Sequence, residues 1–257
     1  MEAIMVYSES GGVSKTTTAV SLATVAAIGG RRVTLVDLDP RAAASRWLGV
    51  EPKEPGLDVG AILADPEPNG WMDDMAVPSR WHPNLSVLPS SRSVSIREGE
   101  QADYAELRLK ASLEGTTADL VIFDCPNRQG GPLTLSALNA SDAVVYAAKA
   151  DEDGVSGVEG AMVSVQRFRD SRRLLGATDK LREAGIVVGA FRGMTVMRRI
   201  EQYALDELGG LGSVLYPLVP DRAVVQDVRA THEWYGDFRK GQPVVDAYSE
   251  ILTKVVS

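Results

Sequence analysis

The chain holds one cysteine and two histidines among 257 residues. A lone Cys125 excludes an internal disulfide and fits a reducing compartment. His82 and His232 form no metal-ligand cluster and read as surface or packing residues. No stretch approaches the roughly 20 apolar residues of a membrane span. The N-terminus enters a strand without a basic n-region or cleavage site, so no export signal is expected and the location expected is cytoplasmic. Internal repeats and low-complexity tracts are missing as well. Excess positive charge is also lacking: the net charge is −8, which argues against a uniformly basic nucleic-acid binder. The deficit is uneven. Residues 161–200 carry nine Lys or Arg against Asp170, Asp179 and Glu183, a net +6 that leaves −14 for the rest. A local basic face on an acidic body is one reading, and a solvated helical face is the other.

What remains is an ordinary soluble composition, 44% hydrophobic and 24% charged. A chain of this length buries a sizeable core, and one α/β domain spanning 1–257 is the economical organisation. Its organising stretch is Ser8 to Thr18. Ala3 to Tyr7 before it reads as a buried strand, and Ala19 to Ile28 after it as an Ala-rich helix. Strand, glycine-rich turn, then Lys-Thr at a helix start is the context of a phosphate-binding loop. Gly11 and Gly12 let backbone N–H groups approach an anion, and the helix start adds unpaired donors and positive dipole. Lys15 would neutralise phosphate charge and the Thr16 hydroxyl would ligate Mg²⁺. The plain alternative is a Gly-Ser turn before a capped helix. Lys15 speaks against it, because a cation in the first helical turn opposes the dipole unless an anion sits there.

Ser10-Gly-Gly-Val-Ser-Lys-Thr-Thr17 resembles the deviant Walker A loop of the ParA/MinD ATPases, usually Lys-Gly-Gly-x-Gly-Lys-Thr-Thr. Two positions depart: Ser14 stands for a glycine, and Ser10 for the family's signature lysine. The resemblance spans nearly the whole chain and is weakest over 50–83. It implies a doubly wound, mostly parallel sheet with helices on both faces, the P-loop NTPase fold. The nucleotide set it implies is Ser10, Gly11, Gly12, Val13, Ser14, Lys15, Thr16 and Thr17, with Pro220 and Asp221 beside the base.

Later elements fall into the same pattern. Arg32 to Asp39 reads as a core strand ending in Asp37 and Asp39, with Pro40 opening a helix. Asp39 is read either as that helix's cap or, by resemblance to Asp-x-Asp-Pro-Gln, as the residue orienting the attacking water, with Asp37 supporting the Mg²⁺ region. Residues 91–99 read as a loop and Glu106 to Leu113 as a helix. Asp119 to Asp124 has the Walker B form, which places Asp124 at the Mg²⁺. After it, the glycine-rich run through Gly131 resembles the segment that senses the γ-phosphate. Ala143 to Ala148 is a core strand delivering Lys149, read either as ion-paired with Asp151 or Asp153 or as the substitute for the missing lysine, reaching across a dimer. Val155 to Phe168 is expected helical, 184–191 a strand, Met194 to Leu208 a helix ended by Gly209-Gly210, and Val214 to Val219 a strand.

The resemblance implies ATP and Mg²⁺ as cofactors and weak hydrolysis used as a switch. It also implies an ATP-dependent homodimer, binding to non-specific DNA, and a partner protein that stimulates turnover; within the basic 161–200 segment, Arg198 and Arg199 are the candidates for the DNA contact. The output would be positioning of a plasmid, a chromosome or a large protein assembly such as a carboxysome. Two rivals stand beside it. A metabolic P-loop enzyme of dethiobiotin-synthetase type would need a further substrate cluster. A MinD-like membrane switch would need a basic amphipathic tail, and Tyr248 to Ser257 holds one lysine and one glutamate.

Overall fold

A computed structural model describes residues 1–100, 102–193 and 196–256. Strand β1 (Glu2–Tyr7) runs into the loop and helix α1 (Lys15–Ile28), and then comes β2 (Val33–Asp37). Short helices α2 (Ala43–Trp47), α3 (Val59–Ala64) and α4 (Trp71–Met75) lead to β3 (Val77–Pro78) and β4 (Leu85–Leu88). After α5 (Arg108–Ala111) come β5 (Leu120–Asp124), α6 (Pro132–Ala140), β6 (Ala143–Ala148), α7 (Glu152–Leu174) and β7 (Arg182–Val188). The chain ends with α8 (Arg199–Leu211), β8 (Val214–Leu215), α9 (Ala223–Asp227) and α10 (Gln242–Val255).

The eight strands form one sheet in the order β3-β4-β2-β5-β1-β6-β7-β8, parallel throughout except for the two-residue β3. Successive strand residues point to opposite faces, so each strand feeds two cores. Ile4, Val6, Leu35 and Ile122 pack with α1, α2 and α10. Met5, Tyr7, Phe123 and Tyr146 pack with α3 to α8 on the other face. The expected doubly wound architecture is therefore present. The first strand pairs at the centre with β5 and β6, and the order reverses there, which is where such sheets open a ligand crevice.

Helix α1 is buried over most of its length although it carries five Ser or Thr residues. Its hydroxyls are satisfied locally or by the C-terminal region. Thr24 donates to Val20, Ser21 donates to Thr17 and Tyr235 donates to Ser21, while Thr18 pairs with Tyr248. The apolar face of α10, with Val244, Ala247, Tyr248, Ile251 and Val255 buried, is spent on the same core. Among the described residues no helix is long and apolar enough to cross a membrane.

Several local expectations are corrected. The helix expected at Pro40 begins at Ala43, because Ala42 takes the left-handed conformation at φ 51°. Residues 92–98 form a 3-10 helix rather than a loop, capped by Ser91, and the expected helix over 106–113 is a 3-10 turn followed by four α-helical residues. Helix α7 is longer than expected: Asp151 caps it by accepting from Gly154 N at 2.9 Å. Helix α8 runs through Gly209 and Gly210 to Leu211, and Met194, its expected start, lies outside the described residues. The strand expected over 214–219 stops at Leu215, where a cis Tyr216–Pro217 bond follows, and Pro220 bridges to Phe191 instead.

Candidate nucleotide site

The turn between β1 and α1 is a nest of backbone N–H groups built on two left-handed residues, Gly12 at φ 73° and Ser14 at φ 72°. Glycine reaches this region freely and serine does not. Ser14 is accommodated because it faces Gly189: a carbon added there would lie 2.7 Å from Ser14 Cβ and 2.9 Å from its Oγ. The glycine absent from the loop thus reappears across from it, after β7. Lys15 opens α1, is 8% exposed, and donates from Nζ to the Ser10 carbonyl at 2.5 Å. Burial lowers its pKa, and the nearby Asp124 carboxylate pulls it back up.

Asp124 ends β5 in register with Val6 of β1 and Asp37 of β2. It is fully buried, and neither carboxylate oxygen finds a well-formed hydrogen bond. Burial pushes its pKa well up, and the Asp37 charge adds to the rise. The adjacent Thr16 hydroxyl and the Lys15 ammonium act in the opposite direction. Native structures rarely leave a buried carboxylate unanswered. Two orphan carboxylate oxygens beside a hydroxyl are the oxygen donors a hard divalent cation takes, so Asp124 and Thr16 fit Mg²⁺, while the Lys15 ammonium suits the phosphates.

Asp37, expected to support the Mg²⁺ region, is held by hydrogen bonds within the protein. Its Oδ2 accepts from Ser45 N at 2.9 Å and Ser45 Oγ at 2.7 Å, and its Oδ1 from Asp39 N at 3.1 Å. Held by these three donors, it fixes the turn that presents Asp39, and burial raises its pKa to about 6. The Asp39 carboxylate accepts from Arg41 N at 2.8 Å, so it braces its own turn and does not cap α2.

One cleft of about 450 Å³ gathers Gly11, Gly12, Ser14, Lys15, Thr16, Thr17, Asp39, Lys149 and Asp221. Pro220 lines a narrower recess that shares Ser14, Thr17 and Asp221 with it. Ser10 is not part of the cleft wall, since its side chain lies against Gly157 of α7, where an added carbon would come within 2.7 Å of it. Val13 is likewise buried. Lys149 forms no ion pair with Asp151 or Asp153 among the described residues. Arg198 and Arg199 are exposed at the start of α8, away from the cleft wall. The +6 segment is not one face: it is split among α7, β7 and α8, and Arg169, Arg173, Arg182 and Arg192 are each ion-paired.

The cleft also contains residues the sequence did not single out for it. Asn127 packs its amide on Gly11, close enough that a carbon added at Gly11 would meet Nδ2 at 3.1 Å. Arg192 lines the rim, paired with Asp221 at 2.6 Å. Arg229 arrives from the turn after α9 and donates to Thr17 Oγ1 at 2.7 Å. Asn127 lies in the glycine-rich run after β5 that the sequence points to, whereas Arg229 lies 212 residues from its partner and carries no local signal.

A protein-family profile described as an AAA domain matches residues 1–175. The chain is 28% identical to the chromosome-partitioning ATPase Soj of Thermus thermophilus, over 99% of this chain and 95% of that one. The structure of apo McdA from Cyanothece superposes with a TM-score of 0.84 at 20% identity and covers 100% of both chains. Cobyrinic acid a,c-diamide synthase of Mycobacterium smegmatis, with bound ADP and magnesium, superposes at 0.75 with 25% identity, over 98% of this chain and 93% of that one. Phosphate nest, orphan Walker B carboxylate, sheet order and these relatives agree: the chain belongs to the ParA/MinD family of P-loop ATPases.

Proposed function

We propose that the protein is an ATP-driven positioning switch of the partition type, which binds MgATP, dimerises around it, binds DNA without sequence preference and hydrolyses ATP slowly until a partner protein speeds it. The observation that carries the nucleotide part is Asp124, a buried carboxylate with two unanswered oxygens beside Thr16 and Lys15 at the head of α1. Lys15 and the loop N–H groups bind the phosphates. Thr16 and Asp124 would hold Mg²⁺, whose chemistry is to neutralise charge between the terminal phosphates. Asp39, on a turn fixed by Asp37, orients the attacking water. Lys149 stands at the cleft, without a carboxylate partner among the described residues, and replaces the charge that Ser10 lacks by reaching the neighbouring subunit's phosphates. Arg198 and Arg199 supply the DNA contact.

The test is multiple-turnover ATP hydrolysis without any small-molecule cosubstrate, with light scattering for dimerisation and retention on non-specific DNA. Slow turnover, an ATP-dependent dimer and salt-sensitive retention are expected. Turnover only with an added carboxylate metabolite would favour chemistry like that of the diamide synthase. Retention on anionic vesicles would favour a membrane switch, which the burial of α10's apolar face argues against.

A further inference from the structure

Arg229 is a half-buried cation whose hydrogen bonds are only partly used. Its guanidinium carbon sits over the Trp47 ring, 4.5 Å from the centroid, a cation–π contact that holds the head in place. One N–H reaches Thr17 Oγ1, while Nε is buried with no acceptor. Burial disfavours its charge, and Asp124 is the first group to offset that. The platform is itself fixed. Trp47 packs against Trp81 at 5.8 Å and Tyr235 at 6.2 Å between ring centroids, so the β3–β4 connection and the C-terminal segment clamp it together. An arginine has five N–H donors, and one whose buried Nε is unspent beside an anion nest lacks an acceptor that an oxyanion would supply. Its anchor, Thr17, also lines the recess of Ala190, Pro220 and Gln226, the side on which the base is expected.

Building on the nucleotide reading above, we infer that Arg229 is a phosphate-binding residue acting within its own subunit, presented by Trp47 to the phosphate nearest the nucleoside. ATP and ADP both carry that phosphate, so the residue sets affinity for both and does not discriminate between them. The C-terminal segment thereby becomes part of the nucleotide site. The experiment is calorimetric titration of ADP and of a non-hydrolysable ATP analogue, with magnesium, into the parent, Arg229→Met and Arg229→Gln. The glutamine variant keeps a donor for Thr17 and covers the case in which the methionine variant fails to fold. Both affinities should fall about tenfold, the effect of losing one charge-assisted hydrogen bond. The ratio between the two ligands should be unchanged, and the salt dependence of binding shallower. A merely structural role would lower the nucleotide-free melting temperature yet leave the salt dependence of the folded variant intact. Parent-like affinity in the folded variants, that intact salt dependence, or a loss confined to the ATP analogue each overturns this assignment alone. Failure of the parent to bind either ligand overturns the nucleotide reading and this assignment with it.

Discussion

The contact between Ser14 and Gly189 makes a stability prediction that the loop sequence alone would not. Ser14 holds φ 72°, a conformation that costs an L-residue about 1–2 kcal/mol. Replacing it with glycine removes that cost but adds about 0.5–1 kcal/mol of unfolded-chain entropy, so Ser14→Gly should be neutral to about 1 kcal/mol stabilising. Gly189→Ala places a carbon 2.7 Å from Ser14 Cβ and 2.9 Å from Oγ, closer than real side-chain carbons sit. Neither neighbour can retreat easily, since Gly189 N donates to Ala148 O at 2.9 Å and Ser14 O accepts from Thr18 N at 2.8 Å. Overpacking of this kind costs about 1–3 kcal/mol. In the Ser14→Gly background the clashing atoms are gone, and Gly189→Ala should then cost little. Urea unfolding of the four proteins gives the cycle, with an expected coupling of about 1–3 kcal/mol. Equal destabilisation by Gly189→Ala in both backgrounds would refute the argument that the two positions exchange one side chain's worth of space.

Lys15→Ala should abolish measurable ATP binding, whereas Asp39→Ala should retain binding and lose turnover, as read by titration and phosphate release. Mixing Lys15→Ala with Lys149→Ala should restore part of the hydrolysis that neither has alone; normal turnover by Lys149→Ala by itself would remove Lys149 from the dimer site. Arg198→Glu with Arg199→Glu should abolish retention on DNA at low salt without altering ATP binding, and unchanged retention would move the DNA contact elsewhere. Tyr7→Phe should loosen the glycine-rich turn after β5, because the Tyr7 hydroxyl donates to Arg128 O at 2.8 Å and accepts from Gly130 N at 3.3 Å. About 1–2 kcal/mol is expected from losing these bonds, read as faster amide exchange at Gly130.

Much of the site was legible because phosphate binding is local chemistry. A nest of N–H groups and the helix start that follows it lie within a few consecutive residues, so Gly11 to Thr17 announce themselves in order. Strand-end acids are legible for a related reason. Parallel strands are long apolar runs, and a carboxylate at the end of one falls on the ligand edge whichever neighbour it pairs with. Asp37, Asp39 and Asp124 were placed in that way. Their division of labour was not, because Asp37 accepts from Ser45, which lies in the next helix, whereas neither Asp124 carboxylate oxygen has a well-formed hydrogen bond.

What tertiary structure alone decided lies between distant segments. Ser10 looked like a nucleotide-contacting residue, but its side chain rests on Gly157 of α7, a helix that sequence cannot dock. Ser14 looked like a mild departure, and the glycine that permits it stands beyond β7. Residues 161–200 left a basic face and a solvated helical face both open until folding divided them among two helices and a strand and paired four of their arginines. Arg229 had no signal at all, since its meaning comes from Trp47 and Thr17 arriving at the same point. The sequence by itself determined the loop, the strand-end carboxylates and the layered α/β fold, because hydrophobic period and backbone chemistry act over a few residues. Only the packed structure decided which side chains spend their hydrogen bonds on the protein and which keep them for a ligand, because that depends on approach distances of a few tenths of an ångström between segments that chain order leaves unrelated.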